Sequence, residues 1–452
     1  MPDEPLLSRA RCEEIFGLVM QHARAQGASE VEAHIGAGAS ALTRFANNTI
    51  HQNVAERTSY LSVRAIIQGR TARASTNLLD GDSIRSVVDH AIAITRLQAP
   101  DPDLPPLADP QPWTPTPRAC CSTAQVTPKD RARTVAEAIR RVESASQVAA
   151  GIYSTSESVF AVLNSAGVFG YHPETMAVFS ITAMAPDSSG WTKASACDAG
   201  ELDPLRLATI AARKAAESGS PRAGAPGRYT VILEPSAVLD LVGQMFPDFS
   251  GTALRDERSF LNERLGQKVF GENISIRDNV FHPQQSGPPF DGEGVPRTTL
   301  NLVENGVIKE IAYSRQAARL SGAKPTGHGF PVPNEMGEAP MNIVIEGGGS
   351  SVEDLIASTD NGILVTRLWY IREVDPYQKI MTGMTRDGTF LIEGGRITAG
   401  LRNFRFNQSI VELLSNVEAM SASVRAAGEE SFDMVVPALK VRHFNFTEVT
   451  RF

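Results

Sequence analysis

The chain has no His-Glu dipeptide: its eight histidines are followed by Ala23, Ile35, Gln52, Ala91, Pro173, Pro283, Gly329 and Phe444. A zinc-hydrolase helix uses such a pair, one residue as ligand and the next as general base, with a second histidine on the same face. Cysteine is scarce as well. Cys12, Cys120, Cys121 and Cys197 are the only four, so no thiolate ligand can come from beyond residue 197. Four cysteines in so long a chain make no disulfide framework, and reduced thiols in the cytosol are the simplest reading. No apolar run approaches the ~18 residues that read as a membrane span. The opening Met1-Pro-Asp-Glu-Pro-Leu-Leu-Ser8 carries neither the basic nor the apolar segment of a signal peptide. Positive charge is not in excess: 43 Lys plus Arg against 51 Asp plus Glu leave a formal charge of −8, which does not favour phosphate backbones. Neither a Gly-x-Ser-x-Gly elbow nor a Gly-x-x-x-x-Gly-Lys-Ser/Thr loop occurs, so serine-hydrolase and P-loop chemistries have no support. The expectation is a soluble, cytoplasmic protein with neither nucleic acid nor membrane as partner.

What is present is ordinary globular material, 42% hydrophobic and 21% charged. Ser8 to about Gln26 has an apolar stripe at Ile15, Phe16, Val19 and Met20 and predicts a helix, stopped by Gly27. Short strands are expected at 30–35, 42–45 and 50–54, with Asn47-Asn48 as a turn, and 60–67 and 70–75 flank Gln68-Gly69 as a hairpin. A helix follows from Asp82 to about Gln98. Eight prolines between Ala99 and Pro117 make that stretch an extended connector, with Trp113 as its anchor. The order then repeats: a helix from Thr127 to about Val142, strands at 151–156, 158–163 and 177–185, and a helix from Leu205 to Ser218. Gly219–Gly227 is a second linker. Beyond it lie a strand at 229–233, a helix opened by Pro235, hairpins at 300–309 and 390–398, a capped helix at Ser350–Ser358, and a helix expected over Asn407–Ser421. The fold class is α+β. Two helix–strands–helix units, 1–98 and 119–218, are joined by the proline-rich linker 99–118, and the linker 219–227 leads to a β-rich C-terminal domain at 228–452.

Four residues stand out as possible contacts for a ligand. His328 lies in Thr326-Gly-His-Gly329, where the glycines let backbone approach closely; the bland alternative is a satisfied loop histidine. Asp291 and Glu293 are paired carboxylates in Phe290-Asp-Gly-Glu-Gly294, whose spacing equally suits a hairpin loop. Arg386 precedes Asp387-Gly388 and fits either a substrate contact or a surface turn. Gly347-Gly-Gly-Ser350 could bind an anion at a helix start, or simply turn and cap.

Several segments together resemble the TldD/TldE (PmbA) family, once called modulators of DNA gyrase. They are Arg44-Phe-Ala-Asn-Asn-Thr-Ile-His-Gln52 with Val63-Arg64 and Gly69-Arg70-Thr-Ala-Arg73, then Asn164-Ser-Ala-Gly167 and Val231-Ile-Leu-Glu-Pro235. Phe290–Gly294 with Glu304-Asn-Gly306, Thr326-Gly-His328, and Gly362–Leu368 with Gly388–Gly394 complete the set. They span nearly the whole chain in the family's order. TldD-like members carry His-Glu-x-x-x-His on the helix after the Val231–Leu233-type strand, and a late cysteine completes the metal site. Here the stretch from Val242 to Asp248 has neither His nor Glu, and Pro247 interrupts the helix. The resemblance therefore implies a TldE-like, non-catalytic subunit with no cofactor of its own. It would pair with a TldD-like, His-Glu-bearing subunit that holds the metal, zinc. Unfolded or small peptides would enter a chamber as extended strands, with His328, Arg386, Asp291 and Glu293 as chamber contacts. Two rivals remain: a partner-independent homo-oligomer that binds peptides or another ligand, and a hydrolase with a relocated site using, for example, His328, Asp291 and Glu293.

Overall fold

The computed structural model describes residues 6–450. The absence of a leader is an expectation about residues 1–5, which with 451–452 lie outside the described residues. Helix α1 (Arg9–Ala25) starts where the Ser8 hydroxyl accepts the Arg11 N–H, and it buries Cys12, Ile15, Val19 and Ala23 on one face. Strands β1 (Glu30–Ala46) and β2 (Thr49–Ile67) follow, joined by Asn47-Asn48, both in the left-handed region at φ 49° and 59°. The residue pattern predicts several short strands here; the structure has one long ribbon, paired from Glu30↔Ile66 to Ala46↔Thr49. The break in the pattern is Gly36-Ala-Gly-Ala-Ser40, whose small side chains give no alternation while their backbone still pairs. The exposed Tyr60 ring lies across Gly36, where a Cβ would come within 2.2 Å of it unless the ring moved.

Strand β3 (Arg70–Thr76) and helix α2 (Gly81–Leu97) close this first run. After the connector come α3 (Cys121–Ala124), α4 (Pro128–Glu143), β4 (Val148–Asn164), β5 (Phe169–Met184), β6 (Ser189–Ala196) and α5 (Pro204–Glu217). The six strands form one antiparallel sheet in the order β3-β2-β1-β4-β5-β6, so both helix–strands–helix runs share a sheet through β1 and β4. Edge strand β6 escapes prediction because Ser189-Gly-Trp-Thr-Lys-Ala-Ser-Ala196 has no apolar alternation. Its Gly190 lies against α5, where a Cβ would come 2.2 Å from the Ala211 carbonyl and 2.6 Å from the Ala215 nitrogen. Gly190→Ala should cost about 1–3 kcal/mol, since backbone cannot give way as a side chain can. Gly17→Ala, in open space on α1, should instead gain roughly 0.5–1 kcal/mol. Urea unfolding of the two variants beside the parent checks both signs.

The connector 99–118 is a fastened strap. The Asn164 side-chain amide donates to the Ala108 carbonyl at 2.8 Å, Trp113 packs 5.2 Å from the Phe290 ring, and the Arg118 guanidinium donates to the carbonyls of Val280, His282 and Pro283.

The C-terminal half is rich in strands: β7 (Gly227–Leu233), β8 (Ile276–Asp278), β9 (Leu300–Glu304), β10 (Val307–Ile308), β11 (Ile343–Ile345), β12 (Asn361–Asp375), β13 (Ile380–Glu393), β14 (Arg396–Gly400), β15 (Phe404–Ser409), β16 (Val417–Met420), β17 (Val424–Ala426), β18 (Met434–Val436) and β19 (Leu439–Val449). One sheet runs β12-β7-β19-β15-β13-β14, and because β13 also pairs with β12, five strands close into a barrel. Phe404, Phe406, Phe444 and Phe446 are buried in its core. The second sheet runs β10-β9-β8-β11-β18-β17. Helix α6 (Pro235–Val242), fully buried from Ala237 onward, lies in contact with both sheets.

Two expectations are corrected. Over Asn407–Ser421 only Ile410–Ser415 is helical (one short turn capped by Ser409), flanked by β15 and β16. Pairing of β15 with β13 and β19 buries Phe404 and Phe406, which outweighs a short stretch of helical pattern. The capping box at 350–353 is shifted by one residue: Ser351 and Asp354 cap each other on the helix Val352–Ala357.

Candidate functional site

Beyond Val242, α6 tightens into a 3₁₀ turn, Gly243–Asp248, that carries Pro247. Asp240 on the buried face accepts the N–H groups of Glu429, Glu430 and Ser431 at 2.9–3.2 Å, which clamps the late segment onto the helix. Burial pushes this carboxyl up to about 7 despite those donors. Gly243 faces the clamp: a Cβ there would lie 2.0 Å from the Ser431 hydroxyl. The Gln244 amide donates to the carbonyls of Asp240 and Glu430. Asp248 Oδ2 sits 2.5 Å from Lys379 Nζ, which also reaches Glu373 at 2.7 Å. Gln244, Asp248, Arg258, Arg372, Glu373 and Lys379 together line a hollow of about 630 Å³.

These residues do not fit a zinc ion. The window holds a glycine, an amide already hydrogen-bonded and one carboxylate matched to an ammonium. It offers no imidazole and no thiolate, and three cations face two carboxylates. Among the described residues no group of three or more His, Cys, Asp or Glu is placed to hold a metal.

The structure separates the sequence-selected residues into two places. His328, Asp291 and Glu293 lie where the loops of the C-terminal domain meet the N-terminal sheet, all nearly inaccessible. His328 Nε2 is 3.1 Å from Asp278 Oδ1, and its Nδ1 is 3.0 Å from the Thr326 hydroxyl. Asp278 also accepts the Met341 and Asn342 N–H groups at 2.7 and 2.8 Å. Burial opposes its ionisation, but His328, Arg297 and these N–H groups together bring its carboxyl down to about 2. Asp291 binds its own loop, accepting N–H groups from Glu293, Val295 and Gly329 at 2.8–2.9 Å. Glu293 lies 3.4 Å from Arg315 Nη1, and burial, then the Asp291 charge, raise it to about 7. The glycines around His328 serve packing. At Gly327, φ is 74° and a Cβ would meet the Pro296 carbonyl at 2.1 Å; at Gly329 a Cβ would lie 3.0 Å from Glu293 and 3.1 Å from Asp291.

Opposite this loop the sheet supplies charges that sequence reasoning missed. Glu32 pairs with Arg73 at 2.6 Å and Arg64 at 3.6 Å. Burial works against the Glu32 carboxylate, yet Arg64, His34 and Arg73 hold it below its usual range. Arg73 Nε donates to the Val332 carbonyl, and His34 Nε2 lies 2.7 Å from the Gly292 carbonyl, which can only accept. Burial and the Arg73 charge bring His34 down to about 4, so the neutral ring donates that bond. Arg64 and Arg73 fall in segments that resemble the family, but Glu32 and His34 gave only the signal of polar residues on a strand that is otherwise apolar.

Arg386 lies elsewhere, on β13, stacked 4.9 Å from the Trp369 ring beside a hollow of about 1070 Å³. Lys379 and Arg367, each central to its own cluster, were not anticipated.

Comparison with known proteins agrees with this architecture. Residues 34–95 match the PmbA/TldA metallopeptidase domain 1, 120–218 its central domain and 226–448 its C-terminal domain. Metalloprotease PmbA of Escherichia coli O157:H7 is 21% identical over 405 residues, covering 84% of this chain and 85% of that protein. A metalloprotease of Methanothermobacter thermautotrophicus is 26% identical over 295 residues, 60% of this chain and 62% of its own length, somewhat under two thirds of that relative. The crystal structure of TldE from Thermococcus kodakarensis has the same fold: TM-score 0.87 at 21% identity, over 96% of this chain and 99% of that one. With three domain models matched in order along its length, the chain belongs to the TldD/TldE (PmbA) family.

Proposed function

We propose that this chain is the non-catalytic, TldE-like subunit of a heteromeric TldD/TldE-type metalloprotease acting on unfolded or small peptides. The observation that carries this reading is the occupied state of the Gly243–Asp248 turn, where a glycine is packed against Ser431 and Asp248 is spent on Lys379. The metal, zinc, and its general base would reside in a His-Glu-bearing partner, while this chain shapes the chamber and the surface that the partner grips. The metalloprotease names of the relatives and the likeness to TldE support the reading. Four free thiols favour a reducing compartment, the cytoplasm.

Co-expression with the His-Glu-bearing paralogue of the same genome tests it. The two should co-purify, and chelator-sensitive peptide hydrolysis by the complex should exceed that of either chain alone several-fold. If no complex forms and the paralogue cleaves equally well by itself, the proposal fails.

A further inference from the structure

The hollow of about 1070 Å³ opens between the ends of β5 and β6 and the barrel. Three arginines line it: Arg367 on β12, Arg386 on β13 and Arg402 just after β14. Arg367 and Arg386 are direct partners in the β12–β13 ladder. Arg367 is 6% exposed, and its Nε is buried without an acceptor. Its Nη2 lies 2.5 Å from Asp387 Oδ2, and its guanidinium stands 4.6 Å from the Trp191 ring and 5.5 Å from the Trp369 ring. Arg386 reaches the same Asp387 oxygen at 3.5 Å, so one carboxylate serves two guanidiniums. The other Asp387 oxygen is taken by the Ser189 hydroxyl at 2.6 Å. Arg402 is exposed and has no carboxylate in ion-pair range among the described residues. The second acid on the wall, Asp187, accepts the Ser220 N–H at 2.9 Å.

The backbone is bent to bring these groups together. The ladder slips between Val365 and Arg367, Asp387 sits at φ 53°, and Gly388 at φ 130° leaves no room for a Cβ, which would meet the Thr366 hydroxyl at 2.5 Å. A bulge with left-handed residues costs stability and re-aims side chains, and such features cluster at binding sites. The stacked tryptophans hold two guanidinium planes in place, so less side-chain freedom is lost when an anion arrives.

We infer that this hollow binds the carboxylate of an extended peptide, received by Arg386 and Arg402 with Arg367 behind them. A guanidinium fork matches a planar carboxylate, and with three arginines against Asp187 and Asp387 the wall has one positive charge in excess, which suits a singly charged anion. The hollow is far larger than the ~30 Å³ that one water occupies in the liquid, so there is room for residues preceding the carboxylate. This inference rests on the reading that the complex handles peptides, and it names the part of the peptide recognised.

The test uses the full chain, by itself and in complex with its partner, and reads tryptophan fluorescence, to which Trp191 and Trp369 beside the arginines contribute, and titration calorimetry. The probes are a neutral tetrapeptide with a free C-terminus, its C-terminal amide, the same amide carrying one glutamate, and inorganic phosphate. The free acid should bind at least about tenfold more tightly than the neutral amide, which corresponds to 1.4 kcal/mol. Arg386→Gln with Arg402→Gln, both on exposed side chains, should abolish that preference while leaving the circular dichroism unchanged. Binding of the glutamate amide equal to that of the free acid supports the same site and assigns the carboxylate to a side chain. Equal binding of acid and neutral amide, phosphate binding more tightly than either, or an unaltered double variant overturns the inference. A chain that forms an active complex yet shows no carboxylate preference refutes this inference alone. A chain that binds the free acid but forms no complex refutes the subunit reading alone.

Discussion

Replacing Asp278 with alanine should lower the unfolding free energy by about 3–5 kcal/mol. The carboxylate is fully enclosed and serves four groups at once: His328 at 3.1 Å, Arg297 at 3.8 Å, and the Met341 and Asn342 N–H groups. Alanine removes the acceptor of the Met341 and Asn342 N–H groups and the carboxylate charge beside the His328 ring and the Arg297 guanidinium, whose Nη1 keeps its bond to the Asn342 side chain. Asp278→Asn keeps the shape and one acceptor oxygen, so its loss should be smaller, about 1–3 kcal/mol. The parent should show the matching pH dependence. Its folded carboxyl is held at about 2 against an ordinary 3.8. The associated stability is therefore complete above pH ~4 and is lost as pH falls through about 2, an effect of roughly 2 kcal/mol. Urea unfolding at pH 7, followed by tryptophan fluorescence, measures the variants. A loss under about 1 kcal/mol for Asp278→Ala would mean that the site relaxes or admits water, contrary to this account.

Glu293→Gln should have the opposite sign and should show it only in part of the pH range. Burial and the Asp291 charge raise Glu293 from 4.5 to about 7. Between those values the unfolded chain ionises first, so the parent loses stability as pH rises from about 4.5 to about 7 and stays at the lower level above it. Glutamine has no charge to bury. The variant should therefore match the parent near pH 4.5 and exceed it at pH 8 by about 1–3 kcal/mol. The lower end allows for the countercharge that Arg315 and Arg64 lose. Thermal midpoints at the two pH values decide it: the same difference at both would show that the effect is not ionisation. Because Glu293 lies where the N-terminal sheet meets the C-terminal loops, the variant should also make that junction firmer at alkaline pH.

Legibility of the fold in the sequence followed the range of the interactions. Ser8, Thr127 and Asp203 cap helices within three residues of themselves, and Asn47-Asn48 and Asn305-Gly306 turn the chain through their own dihedrals. Such features are visible because the partners are sequence neighbours. The long ribbon, edge strand β6 and the barrel strand over Phe404–Ser409 were obscured, because pairing with a distant strand decided their conformation. The candidate site divides the same way. That His328 sits between glycines is plain in the sequence; that the glycines admit the Pro296 carbonyl and two carboxylates, leaving no space for a ligand beside them, is not. Arg386 could be read as a turn residue or a contact, and its neighbours Trp369, Asp387 and Arg367 belong to one wall only after β12 and β13 pair.

The sequence by itself determined the α+β class, the family segments, the helix caps and tight turns, and the lack of imidazole and thiolate near the helix opened by Pro235. These depend on residue identity and on neighbours within a few positions. Only the tertiary structure decided which charges meet: Lys379 with Asp248, His328 with Asp278, Glu293 with Asp291, and Arg367 with Asp387. The physical reason is that Coulomb energy and desolvation depend on ångström distances and on burial. Both are set where strands remote in the chain come together, and they leave no periodic trace along it.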